Sequence, residues 1–334
     1  MTELMPDEVQ SELQPYEPDQ LPTDLRGGIV AIGNFDGVHR GHAALLRNAV
    51  EAAAARKTLP LVLTFDPHPR TFFRPSDSVF RMTPGRARAR LFRALGIRGL
   101  VVATFDASLA GMSADAFIER VLQQQLGISG AVIGFNFRFG RGRSGTAETL
   151  AEAGHRLGFT VSTIEPVATG DTVIASIAAR AALRDGDVPA ANSLLGYRWF
   201  VIGSVITGQK RGRQLGYPTA NIELWPDCAL RHGIYAVTLR LADGTEHDGV
   251  ASFGRRPTFD DGPPLLEVHA FRFDGDLYGQ TMTVSFVDWL RPEQKFSSTT
   301  DLIEAMNSDA DQARRRLIAA TPPTALDEAM VRMA

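Results

Sequence analysis

Residues Gly28–His42, GIVAIGNFDGVHRGH, decide the fold. The apolar run GIVAI reads as a buried strand, GNFDGVHRGH lies at its mouth, and AALLRNAVEAAAARK beyond it has helical spacing. Glycine lets backbone approach a ligand closely. A helix beginning just after His39 would aim unpaired N–H groups and its positive end at whatever occupies the cleft beyond the strand. A phosphate suits that place. His39 and His42, three residues apart, share one face of the first turn, so both rings can donate to the same anion. Paired donors where charge develops on a phosphoryl group would stabilise the transition state of nucleotidyl transfer. A zinc reading is weaker: no third soft or imidazole ligand stands at a familiar spacing, although Asp66 and His68 of TFDPHPR could approach in the fold. No G-x-G-x-x-G follows the first strand, which disfavours a dinucleotide redox fold. The later GSVITGQKRG fails as a P-loop because Gln209 intrudes before Lys210 and no Ser or Thr follows the lysine.

Outward from this stretch, short apolar strands (LPLVLTF, GLVVATF, GAVIGF, FTVSTIEPV) alternate with helical patterns (RARARLFRALG, DAFIERVLQQQLG, TAETLAEAGHRLG). That alternation predicts an α/β domain with a parallel sheet covered by helices. From Trp199 the pattern changes to strands separated by turn signals such as ADG and DGD, which predicts a compact antiparallel sheet or barrel. It closes on TTDLIEAMNSDADQARRRL, a helix with its arginines placed late to complement the dipole. The expected division is an acidic leader over 1–22, loosely held; a first domain over 23–185; a linker or helix over 186–198; a second domain with its closing helix over 199–320; and a tail over 321–334.

The chain has 334 residues, 44% of them apolar, enough for two cores. Its net charge of -3 offers no global attraction to nucleic acid or anionic membranes, so small molecules are the expected partners. The sequence shows no need for an obligate protein partner and does not fix an oligomeric state. The first twenty residues hold six acids and no Lys or Arg, and the apolar runs are too short to span a bilayer. The single cysteine, Cys228, excludes an internal disulfide framework and fits a reducing, cytoplasmic setting.

In the second half, GQKRGRQLGYPTANI joins a basic glycine loop to Thr219 and Asn221. Two apart in an extended segment, their side chains point to one face, and hard oxygen donors suit magnesium. Read alone, PTAN is more often a capped turn and the basic run a solvated loop; it is their adjacency that points to phosphate binding. Glu267, in LLEVHAF, shares one strand face with His269; it is either an exposed strand-face pair or a group that orients and deprotonates an attacking hydroxyl.

GNFDGVHRGH, TFDPHPR and GFNFRFGRGRSG together resemble the adenylyltransferase module of the bacterial bifunctional riboflavin kinase/FMN adenylyltransferase (FAD synthetase) family. GQKRGRQLGYPTANI, GIYAV, GVASFGRRPTF, LLEVHAF and DLYGQTMTVSFVDWLRPEQKF resemble its riboflavin kinase module, in order. The resemblance runs from about Leu21 to about Leu317 and implies a Rossmann-like nucleotidyltransferase domain followed by a small β-barrel. It implies that Gly33, Asn34, Asp36, His39, Gly41 and His42 bind ATP, and that Asp66, Asn136 and Arg138 lie near the flavin nucleotide or its adenylyl partner. In the barrel it implies that Thr219 and Asn221 position magnesium-ATP, that Gly208, Arg211, Gly212 and Gly216 belong to the loop over the phosphates, and that Glu267 is the base. Riboflavin, FMN and FAD would be substrates or products.

One departure stands out. Where that family has I-S-S-T-x-x-R, this chain reads IASIAAR: Ser176 and Arg180 remain, while Ala175 and Ile177 replace a Ser and the Thr. Each lost hydrogen bond to a charged group would cost roughly 1.5 to 3 kcal/mol. The expected activity is phosphorylation of riboflavin to FMN and adenylylation of FMN to FAD. The rivals are a kinase with a weak or inactive adenylyltransferase domain, a flavin-binding regulator without catalysis, and nucleotidyl transfer to another phosphate ester.

Overall fold

The computed structural model describes residues 13–77, 79–169, 172–207, 217–255 and 264–332. The chain packs as two units, one of Met1–Val79 with Arg88–Val173, the other of Phe80–Ala87 with Ile174–Ala334. The first unit is built on a six-stranded sheet. Its strands are β1 (Pro15–Tyr16), β2 (Ile29–Ile32), β3 (Pro60–Asp66), β4 (Gly99–Thr104), β5 (Gly130–Gly134) and β6 (Thr160–Ile164). They lie in the order β1-β4-β3-β2-β5-β6, and every pairing is parallel. The strands β2 and β3 read as apolar runs because helices cover a parallel sheet on both faces, so no residue needs to face water. Connections run through α1 (Arg40–Arg56), α2 (Pro69–Phe73), α3 (Gly85–Ala94), α4 (Ala107–Gly111), α5 (Ala114–Ala116) and α6 (Ala147–Leu157). The expected helix at DAFIERVLQQQLG continues from α5 as a π-helix over Phe117–Gln125, whose Phe117, Ile118, Val121 and Leu122 face the core.

The leader differs from the expectation of loose chain through residue 22. Residues 1–12 lie outside the described residues, but Pro15 and Tyr16 pair with Leu100 and Val101, and Leu21 is buried in the core with Tyr16 packed against it. The Glu17 carboxylate accepts from the backbone N–H of Thr104 at 3.2 Å and from its hydroxyl at 2.5 Å, fixing the leader at the end of β4.

A two-stranded pair, β7 (Ala168–Thr169) and β8 (Thr172–Val173), precedes the second unit, in which α7 (Ser176–Asp185) and α8 (Val188–Leu195) lead into the barrel. The barrel strands are β9 (Phe200–Ile206), β10 (Ala220–Glu223), β11 (Gly233–Arg240), β12 (Glu246–Gly254), β13 (Leu265–Ala270) and β14 (Thr281–Arg291). They close in the order β10-β13-β12-β11-β14-β9, antiparallel throughout. Closure removes the edges that an open sheet of this size would expose. Packing divides the chain earlier than the expected boundary at 185. The Arg231 backbone N–H donates to Leu183 O at 3.1 Å and its guanidinium to Asp185 O at 2.8 Å, while Asn192 of α8 donates to Phe286 O at 3.0 Å. The closing helix, Thr299–Ala319, lays Ala310 and Ala313 on Ala236, Phe271 and Val287. The Arg291 guanidinium grips buried Asp309 through two bonds of 2.7 and 2.6 Å.

Candidate functional site

In the first unit the chain adds β3 and β4 on one side of β2, then crosses to add β5 and β6 on the other. Such a reversal opens a crevice outside the carboxyl ends of the strands flanking it, here β2 and β5. GNFDGVHRGH follows β2 and GFNFRFGRGRSG follows β5, so topology delivers both motifs to this edge.

The loop after β2 is tightly wound. Gly37 has φ 80°, and two non-glycine residues, Phe35 (φ 48°) and Val38 (φ 37°), also adopt left-handed backbone. For β-branched Val38 this is a real outlier, of a kind that clusters at ligand sites. A Cβ at Gly33 would meet the Phe35 ring at 3.2 Å, which explains the glycine there. Thr64, wholly buried in β3, donates its hydroxyl to Asn34 O at 3.1 Å and accepts from Arg88 at 3.3 Å, tying the loop to the sheet.

His39 is the N-cap of α1, and its Nδ1 accepts the His42 backbone N–H at 3.3 Å. A ring nitrogen that accepts carries no proton, so the neutral ring holds its hydrogen on Nε2. The His39 and His42 rings stack at 3.7 Å with 15° between planes, and Phe35 packs edge-on to His42 at 5.2 Å. The expected pair therefore does come together at the helix N-terminus, with Asp36 and His39 buried, Gly41 in the first turn and Asn34 exposed at the mouth. Among the described residues no group of three or more His, Cys, Asp or Glu could hold a metal ion.

Asp66 is exposed at the end of β3, before a cis bond to Pro67; Asn136 and Arg138 are exposed after β5. The Thr146 hydroxyl holds the Glu148 carboxylate below its usual range, with the Arg138 charge adding to the effect. Sequence reading missed an aromatic cluster beside Asp66. Phe72 lies 5.2 Å from Phe73 and 5.4 Å from Phe105; Phe105 lies 5.8 Å from Phe73 and 6.0 Å from Phe65. Phe73 is 65% exposed, although apolar rings ordinarily seek cover. The signal was the doublet Phe72–Phe73, one residue beyond TFDPHPR.

Ser176 and Arg180 lie on α7 and are described within the second unit. Ala175 is the N-cap of α7 and makes no side-chain cap bond, Arg180 is buried, and Ile177 is 71% exposed.

On the barrel, Asn221 pairs with Glu267 and Glu267 with Ser252, a row across β10, β13 and β12 on one face. Ile222 and Leu266, one residue along, point into the core instead. Glu267 is exposed, whereas Asn221 is only 4% exposed, and its Oδ1 has no hydrogen-bond partner among the described residues. A buried, unmatched amide oxygen is costly and suits a hard cation or its hydration shell. Thr219 stands just ahead of β10, half-buried. Gly208, Arg211, Gly212 and Gly216 lie outside the described residues.

A parallel α/β unit with a phosphate-type helix N-terminus, followed by a closed barrel bearing an Asn–Glu–Ser row, defines a two-module transferase acting on nucleotides. Residues 21–178 match the FAD synthetase family model and residues 195–317 the riboflavin kinase model. The bifunctional riboflavin kinase/FMN adenylyltransferase of Pseudomonas fluorescens is 39% identical over 88% of this chain and 94% of its own. That of Haemophilus influenzae is 37% identical over 87% and 94%. The chain belongs to the bifunctional riboflavin kinase/FMN adenylyltransferase family. A solved structure described as a macrolide-efflux protein from Streptococcus pneumoniae shares the fold, with TM-score 0.80 and 30% identity over 91% of this chain and 99% of that one. The efflux description belongs to that protein. Among the described residues here, no helix is long and apolar enough to cross a membrane.

Proposed function

We propose that the barrel transfers the γ-phosphate of ATP to the ribityl 5'-hydroxyl of riboflavin, giving FMN, and that the α/β unit transfers AMP from a second ATP to FMN, giving FAD and pyrophosphate. The observation that carries this is the cross-strand pairing of exposed Glu267 with buried, unmatched Asn221, in a chain whose other unit stacks two imidazoles on a helix N-terminus. In the kinase step Glu267 accepts the hydroxyl proton as the oxygen attacks the γ-phosphorus and the bond to ADP breaks. Thr219 and Asn221 would hold magnesium, which when bound neutralises charge on the phosphate oxygens. The family resemblance gives Gly208, Arg211, Gly212 and Gly216 the role of covering those phosphates.

In the adenylyl step a phosphate oxygen of FMN attacks the α-phosphorus of ATP and pyrophosphate leaves. His39, through Nε2–H, and His42 donate to phosphate oxygens as charge shifts toward the leaving group, with Gly33, Asn34, Asp36 and Gly41 shaping the pocket around them. Ser176 and Arg180 retain two donors of the second nucleotide signature. Phe73, backed by Phe72 and Phe105, offers a ring face to the isoalloxazine, and Asp66, Asn136 and Arg138 supply the polar contacts of the flavin nucleotide. The one cysteine and the balanced charge support a cytoplasmic setting.

A second reading, in which the adenylyl step is slow, is favoured by uncapped Ala175 and exposed Ile177. Incubating the protein with magnesium-ATP and either riboflavin or FMN, then separating flavins chromatographically, tests both readings. Glu267→Gln is expected to lose FMN formation while still making FAD from supplied FMN. Equal loss of both steps in a folded variant would overturn the division of labour.

A further inference from the structure

We propose that His269 is a positioning residue of the kinase site, holding the Tyr217–Thr219 segment so that Thr219 and Asn221 meet the phosphates of bound nucleotide. The inference rests on the kinase reading of the barrel. His269 lies two residues beyond Glu267 on the same face of β13. The β10–β13 ladder pairs Asn221 with Glu267 and Ala220 with Val268, so one further step sets Thr219 opposite His269. Main-chain pairing stops there, at the point where Pro218 has no N–H to give.

A side chain takes over. His269 Nδ1 lies 2.9 Å from Pro218 O. A carbonyl only accepts, so Nδ1 must carry the hydrogen and donate it. The same ring packs 4.9 Å from Tyr217 and 5.8 Å from Phe271, and the Arg314 guanidinium sits 4.4 Å over Phe271. The Tyr217 hydroxyl is hydrogen-bonded to Asn307 of the closing helix. One imidazole thus connects three things: the strand that carries Glu267, the segment that carries Thr219, and through Tyr217 the helix over the barrel. Without it, Pro218 and Thr219 lose a direct tie to β13 and depend on their chain neighbours, the ladder that begins at Ala220 and the Tyr217–Asn307 bond, so nucleotide binding should suffer before the chemistry at Glu267 does.

The test compares two amides in the full-length protein. In His269→Asn the side-chain N–H₂ falls near the place of Nδ1 and keeps the donor; in His269→Gln it falls about one bond further out. Initial rates of FMN formation are measured against magnesium-ATP at saturating riboflavin, and against riboflavin at saturating magnesium-ATP. The expected result is a KM for magnesium-ATP near the parent's in His269→Asn and raised about three- to tenfold in His269→Gln, as for loss of one neutral hydrogen bond. kcat, the KM for riboflavin and FAD formation from supplied FMN should change little. Equal values of KM for magnesium-ATP in the two amides would overturn the proposal, as would a loss confined to kcat. Tyr217→Phe gives a second check: breaking the bond to Asn307 should raise the same KM, and no change would count against the linkage. If the parent protein makes no FMN at all, the kinase reading fails, whereas normal parent kinetics with indistinguishable amides sink only the role of His269.

Discussion

Restoring a hydroxyl at the start of α7 is a direct probe of the adenylyl step. Ala175 has the extended backbone of an N-cap, φ -141° and ψ 150°, yet its own side chain makes no cap bond to the first turn. Serine fits that backbone without strain, and its Oγ would accept from a first-turn N–H, adding about 0.5 to 2 kcal/mol to stability. While accepting, the hydroxyl still has its hydrogen to donate. Should the second nucleotide signature contact ATP phosphates, that donation is worth roughly 1.5 to 3 kcal/mol, or about ten- to hundredfold in rate. Ala175→Ser should therefore raise kcat/KM for FAD formation by about tenfold or more, and Ile177→Thr should add to it. Riboflavin phosphorylation in the same preparation serves as the internal reference and should not move. Thermal or urea unfolding reports the cap separately. A variant that is more stable but no faster in FAD synthesis would refute the assignment of this helix start to the phosphates, leaving only its structural role.

Phe73→Ala removes the exposed ring, and with it the stacking expected of a flavin, so the KM for FMN in FAD formation should rise about two- to tenfold while FMN formation is unchanged. Asp309→Ala strips the partner from the Arg291 guanidinium, and urea unfolding should show a loss of about 3 to 5 kcal/mol, the cost of breaking a buried pair. Burial pushes the Cys228 thiol up to about 12, so alkylation at pH 8.5 should be slow in the native protein and fast in denaturant. Protons held on Cys228 in the folded state but lost from the unfolded one mean that stability falls as pH rises above about 9, and Cys228→Ala should flatten that slope.

The first unit was legible because its signal is local. Strand β2, the glycines and α1 follow one another, so a 15-residue reading places His39 and His42 correctly. Long-range partners were not legible. The leader looks loose because its Pro and acidic residues resist periodicity, yet Tyr16 and Leu21 anchor it and Glu17 finds Thr104, 87 residues away. The segment Phe80–Ala87 reads as part of the first domain, but Phe80 packs on Trp199 and Trp225, and the Trp199 indole donates to Met82 O at 2.8 Å. On the barrel, alternation marks Glu267 as facing outward, but only strand register reveals that it lies beside Asn221. The Phe72–Phe73–Phe105 cluster likewise depends on β3 and β4 being neighbours.

The strain in the loop after β2 has a source of compensation that sequence spacing cannot display. Left-handed backbone at Phe35 and Val38 costs of order 1 to 3 kcal/mol each, and such a turn persists only where its surroundings over-determine it. Phe35 is fully buried, 5.6 Å from Phe92 and nearly perpendicular to it, while its other neighbour is the His42 ring. Burying one phenylalanine contributes roughly 1.5 to 3 kcal/mol, comparable to the strain at one of the two positions. The contact that offsets the strain also orients His42, and His42 in turn gives its backbone N–H to His39. Core packing and the presentation of both imidazoles are therefore one construction: shrinking Phe35 would release the turn and disperse the two donors together, even though Phe35 itself is shielded from any ligand.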